Sequence, residues 1–80
     1  MNSENALEAI TQVIRQLSEE QDQPIDHDTR LNEDLGLDSL SQIEVITSVE
    51  KLLSLTVPDD QVAKIRTVGD IVTVVLALSR

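Results

Sequence analysis

One serine stands out as the residue best placed for chemistry in this 80-residue chain. Ser39 sits in Leu35-Gly36-Leu37-Asp38-Ser39-Leu40, a turn-like stretch that runs straight into an apolar pattern of helical period. A glycine, an acid and a hydroxyl at the mouth of a helix put an oxygen within reach of another protein. The chain has no Cys and one His, so it supplies no thiolate. Acting as a nucleophile in its own right, Ser39 would need a base, and only His27 could serve. His27 lies in an acidic loop with no nucleophile near it in sequence, and its plain reading is a solvated loop residue. Asn32, Glu33, Asp34 and Asp38 invite a calcium reading, but the EF-hand order fails. Gly36 falls at the wrong place, and Ile43 stands where that loop needs a Glu. Ser39 therefore reads either as an attachment point or as an ordinary helix cap, since Ser and Asp are both common caps.

Four helical segments and one long loop must position it. The first is expected over residues 4–18, with Leu7, Ile10, Ile14 and Leu17 inward and Asn5 with Glu8 as a capping box. Residues 19–37 read as a loop, with Pro24, Asp22, Asp26, Asp28, Asn32 and Gly36 as breakers. A connection of that length needs anchors, which Ile25, Leu31, Leu35 and Leu37 can supply, and Leu31 and Leu35 are expected to be buried. The second helix is expected over residues 39–53, capped by Asp38 or Ser39, with Gln42 at capping-box distance from Ser39, Ile43, Ile46, Val49 and Leu53 inward and Pro58 blocking any extension. A short third segment spans about 59–65, opened by Pro58 and Asp59, with Val62 and Ile65 facing the core; a single turn or a 3₁₀ piece would also fit here. The fourth spans 67–78, where Thr67 and Asp70 have capping-box spacing. Its run Ile71-Val72-Thr73-Val74-Val75-Leu76 favours a strand by propensity. No second strand-like run exists to pair with it, and a lone strand leaves backbone groups unsatisfied, so a buried helix is expected. Val68, Ile71, Val72 and Val75 would form its core face. The fold class is all-α: a small bundle of three longer helices and one short one.

Eighty residues make one small domain over 1–80, burying roughly 60% of its unfolded surface. With no Phe, Tyr or Trp, the core must be aliphatic. Fifteen acids against six bases give a net charge of −9. That balance argues against nucleic acid and anionic membranes and favours basic protein partners. It also suits the simple task of keeping a small domain soluble. No stretch approaches the roughly 18 apolar residues of a membrane span, and residues 1–5 lack the features of a signal peptide. A soluble, cytoplasmic monomer is the expectation.

The chain resembles the acyl carrier proteins. Gly36-Leu37-Asp38-Ser39-Leu40 matches that family's Gly-x-Asp-Ser-Leu signature, and Leu31-x-x-Asp34-Leu35-Gly36 matches the approach to it. Val57-Pro58-Asp59-Asp60 and Ile65-Arg66-Thr67-Val68-Gly69-Asp70 match the third helix and the start of the fourth. The resemblance covers essentially the whole chain and is strongest over residues 31–70. It implies a non-catalytic carrier that is itself the substrate of a Mg²⁺-dependent phosphopantetheinyl transferase, with coenzyme A as donor. Ser39 would take a covalent 4′-phosphopantetheine arm, flanked by Asp38 and Leu40. The arm's thiol would explain how a chain without Cys holds thioesters. Leu40, Ile43, Glu44, Thr47 and Glu50 would form the docking face for acyl-loading, condensing and acyl-transfer enzymes with basic surfaces.

That face departs from the fatty-acid pattern. Ser41 stands where an Asp is common, Thr47 where a large apolar residue is common, and Lys51 where a Glu is common. The resemblance thus points toward polyketide or another specialised lipid pathway ahead of primary fatty-acid synthesis. Leu37 breaks the glycine pair of the peptidyl relatives, leaving an aminoacyl carrier as a minor option. The competing reading is a helical interaction module in which Ser39 is only a cap, and a small hydrolase dependent on His27 ranks last.

Overall fold

The computed structural model describes residues 2–17 and 24–79. Among them the chain forms helices α1 (Ser3–Leu17), α2 (Ser39–Leu53), α3 (Asp59–Val62) and α4 (Val68–Leu78), and no strand. The all-α expectation holds. Ser18 and loop residues 19–23 lie outside the described residues. Helix α1 packs against both α4 and α2. No helix among the described residues is long and apolar enough to cross a membrane.

Helix α1 begins earlier than the pattern suggests. Asn2 caps it, its Oδ1 accepting the Asn5 N–H at 2.8 Å. Asn5 is thus inside the first turn, and the expected Asn5–Glu8 capping box does not form. The buried face is Ala6, Ile10, Val13 and Ile14. Leu7 is only partly buried, and Leu17 is exposed because the last turn runs past the packed face.

Helix α2 has the expected bounds but a rotated face. Val45, Ile46 and Val49 are buried, whereas Ile43 is 51% exposed and Leu53 only partly covered. This helix carries apolar residues on more than one side, so period alone does not say which stripe turns inward. It ends before Pro58: Ser54 adopts φ 55°, and its N–H returns to the Glu50 carbonyl. Pro58 opens α3 instead.

Helix α3 is a single turn, the shorter of the two expected forms, and none of its residues is fully buried. Val62 packs partly on the core and Ile65, just beyond the helix, is buried. In α4 the β-branched run is helical, and Val68, Ile71, Val72 and Val75 are its buried face, as expected. Burial on α1 outweighs strand propensity here. The capping box forms: Thr67 Oγ1 accepts the Asp70 N–H at 3.1 Å, and Asp70 Oδ2 accepts the Thr67 N–H at 3.0 Å.

The described part of the loop is anchored on both counts. Leu31, Leu35 and Leu37 are buried. Its backbone is also stitched to the start of α4, which the sequence did not suggest. Leu31 N–H donates to Arg66 O at 3.0 Å, Val68 N–H to Thr29 O at 2.9 Å, and Gly69 N–H to His27 O at 2.8 Å. These bonds flank an antiparallel bridge between Arg30 and Thr67. Gly36 sits at φ +68°, a turn that suits glycine.

Candidate attachment site

The loop reaches Ser39 through a clamped carbonyl. Leu37 O accepts from Asn32 Nδ2 at 3.0 Å and from Gln42 Nε2 at 2.9 Å. One amide comes from the loop and the other from the first turn of α2, so loop and helix are locked at the point where the chain turns. Gln42 does not form a box with Ser39. The cap is Asp38, whose Oδ1 accepts the Ser41 N–H at 2.9 Å. That bond, with help from the Ser41 hydroxyl and the Leu40 N–H, holds the Asp38 carboxyl below its ordinary value. An ionised carboxylate at the positive end of the helix is favoured electrostatically.

Ser39 is the first residue of α2, is exposed, and its hydroxyl makes no hydrogen bond with another described residue. With Asp38 doing the capping, the hydroxyl is left open to solvent. Beside it lies a groove of about 220 Å³ between α2 and α3, lined by Ile43, Ile46, Val62 and Ile65 along with Ser39 and Arg66. Ile43, Ile46 and Val62 are shared with a second groove of about 280 Å³ that continues toward Thr47, Glu50 and Val57. An exposed oxygen at the mouth of a furrow with both polar and aliphatic walls suits a long, flexible group attached at one end.

Leu40, Ile43, Glu44 and Thr47 recur at helical spacing and share the exposed face of α2, with Leu40 66% exposed. Glu50 is placed differently. Its Oε2 accepts the Val57 N–H at 2.7 Å, so this carboxylate braces the chain between α2 and α3. His27 is exposed and far along the loop; its Nε2 lies 3.1 Å from Ser3 Oγ, and no contact joins it to Ser39. Glu33 and Asp34 bind the Arg30 guanidinium, which lowers the Asp34 carboxyl from its ordinary value. Among the described residues no cluster of His, Asp or Glu is arranged to hold a metal ion. The sequence did not assign Asn32, Gln42 or Arg66 these parts: Asn32 reads as a turn breaker or calcium ligand and Gln42 as a capping partner of Ser39. Their roles come from contacts across the loop and the groove, which no local pattern announces.

A bare serine at a helix start with a furrow beside it suits a carrier for a covalently attached group. Comparison with known proteins agrees. The family described as the phosphopantetheine attachment site matches residues 8–75. An acyl carrier protein of Rickettsia bellii (strain RML369-C) is 40% identical over 63 residues, covering 75% of this chain and 73% of the relative. The meromycolate extension acyl carrier protein of Mycobacterium leprae (strain TN) is 30% identical over 78 residues, covering 98% of this chain and 68% of the relative. A solved structure of an acyl carrier protein candidate from Mycobacterium tuberculosis superposes with a TM-score of 0.83 at 32% identity, covering 90% of this chain and 96% of that one. The chain belongs to the acyl carrier protein family. It is a non-catalytic carrier whose cofactor is covalently bound phosphopantetheine.

Proposed function

We propose that Ser39 takes the 4′-phosphopantetheine arm and that the chain presents acyl thioesters to enzymes of polyketide or related specialised lipid synthesis. The observation that carries this reading is the division of labour at the start of α2. Asp38 satisfies the helix end, and the neighbouring hydroxyl is exposed and uncommitted. In the attachment step Ser39 Oγ gives its proton to a base of the transferase and bonds to the pantetheine-side phosphorus of coenzyme A. The pyrophosphate P–O bond breaks, and the adenosine bisphosphate half leaves with that electron pair. The new phosphodiester then lies at the positive end of α2, whose first turn contains no acidic residue. Asp38 keeps that turn ordered, and Leu40 flanks the oxygen. When bound, the arm supplies a terminal thiol that holds the acyl group as a thioester.

Leu40, Ile43, Glu44 and Thr47 form the docking face in this reading, with Glu50 at its far end. Partners with basic surfaces are drawn by the net charge of −9, then orient on the apolar pair and Glu44. With Glu50 committed to Val57 and Lys51 on the same helix, the face is weakly acidic. That weak acidity favours specialised partners over the primary fatty-acid enzymes. The furrow along Ile43, Ile46 and Val62 gives the acyl chain an apolar shelter.

Intact-mass measurement after incubation with coenzyme A, Mg²⁺ and a broad-specificity transferase tests the attachment. One arm on Ser39, and none on Ser39→Ala, is expected. An unchanged mass, or an arm on another residue, overturns it. Efficient elongation by a housekeeping fatty-acid synthase overturns the pathway assignment alone.

A further inference from the structure

We infer that Arg66 holds the phosphodiester of the arm and so lays the arm along the groove between α2 and α3. The inference rests on Ser39 being the attachment point.

Ser39 and Arg66 line the same groove from opposite walls, Ser39 on α2 and Arg66 in the segment between α3 and α4. The Arg66 backbone is fixed from two sides. Its N–H donates to Asp70 Oδ2 at 2.8 Å, and its carbonyl accepts the Leu31 N–H at 3.0 Å. The guanidinium is oriented too: Nη1 donates to Ala63 O at 2.8 Å and to Ile65 O at 3.2 Å. That leaves the Nε and Nη2 hydrogens for a further acceptor.

The chain carries 15 acids against 6 bases, yet no carboxylate among the described residues forms an ion pair with Arg66. Asp70, the nearest acid in sequence, spends its Oδ2 on the main-chain N–H groups of Arg66 and Thr67. Arg30 is the contrast, its guanidinium taken up by Glu33 and Asp34. Arg66 thus lines the groove with an oriented guanidinium, and the groove's other wall bears the hydroxyl. A phosphate monoanion on that hydroxyl is the acceptor such a guanidinium fits. The pairing draws the arm inward, toward Ile43, Ile46 and Val62, rather than out into solvent.

The test follows the Arg66 Nε–H resonance and the ³¹P resonance of the protein before and after loading, with intact mass recorded on the same samples. In wild type, loading should move the Arg66 Nε–H signal. Raising the salt from about 0.1 M to about 1 M, which shortens the screening length from ~10 Å to ~3 Å, should move both signals back toward their free positions. Loaded Arg66→Gln should show a ³¹P signal insensitive to salt, and Arg66→Lys an intermediate response. The wild-type readout needs no substitution, so a poorly folded variant does not rescue the idea. A mass showing the arm on Ser39 together with an unmoved Arg66 signal overturns this inference alone. A mass showing no arm on Ser39 overturns the attachment reading and this inference with it.

Discussion

Gly69→Ala gives the sharpest check on how the loop is held. A helix-interior glycine replaced by alanine ordinarily gains about 1 kcal/mol. Gly69 is in the first turn of α4, and a Cβ there would lie 2.7 Å from His27 O and 3.3 Å from His27 Cβ. The nearer atom is main-chain carbonyl, so relief requires the loop to move. Forcing an extra carbon into a packed contact costs about 1–3 kcal/mol. Moving the loop also weakens the bond from Gly69 N–H to His27 O, a further loss of roughly 0.5–1.5 kcal/mol. The sum runs from about 0.5 to 3.5 kcal/mol of destabilisation, centred near 2. At about 4–8 °C per kcal/mol for a domain of this size, Tm should fall by roughly 8–16 °C. Thermal melts followed by circular dichroism measure this, and amide exchange at Leu31 and Val68 should quicken in step. A Tm equal to or above that of wild type would refute the claim that loop and helix are in hard contact here.

Gly36→Ala should also destabilise, by about 1–2 kcal/mol, for the opposite reason: space is open, but φ is +68°. Urea unfolding would show it. Val45→Ala should cost about 2 kcal/mol because Val45 is fully buried, while Ile43→Ala, half exposed, should leave urea stability nearly unchanged and lower partner affinity instead. Acid unfolding should reveal the Asp38 cap. Its carboxyl titrates below the ordinary 3.8 in the folded chain, so its contribution is present above that pH and is lost as pH falls through the lower folded value. Asp38→Asn keeps a capping oxygen without the charge, and its stability should fall less steeply on that acid limb. Equal slopes would count against the ionised cap.

The sequence was most legible where local signals agreed. Helix α4 announced its start through Thr67 and Asp70 and its buried face through Val68, Ile71, Val72 and Val75. Ser39 stands out as a candidate because its neighbours form a turn followed by a helix and match the family's Gly-x-Asp-Ser-Leu signature. The rotation of α2 was not legible, since Ile43 and Val45 are equally apolar and only packing on α1 chooses between them. Asn5 with Glu8 matched a capping motif, but the structure caps the helix at Asn2, which has no Glu or Gln three residues on. The Glu50–Val57 bond crosses the break between α2 and α3, and the contact of Gly69 with His27 joins residues distant in sequence. No spacing rule reaches that far, and the same is true of the shared groove of Ser39 and Arg66.

The brevity of α3 has its own consequence. Three long helices and the stitched loop form a stiff frame, while one wall of the furrow is a single turn with no fully buried residue. Local opening is cheapest where few apolar contacts must be broken. If cargo lies in the furrow as proposed, groups of different bulk would be accommodated by displacing that one turn. Size tolerance would then be adjustable by substitution at Asp59 and Val62, the α3 residues that line the furrow.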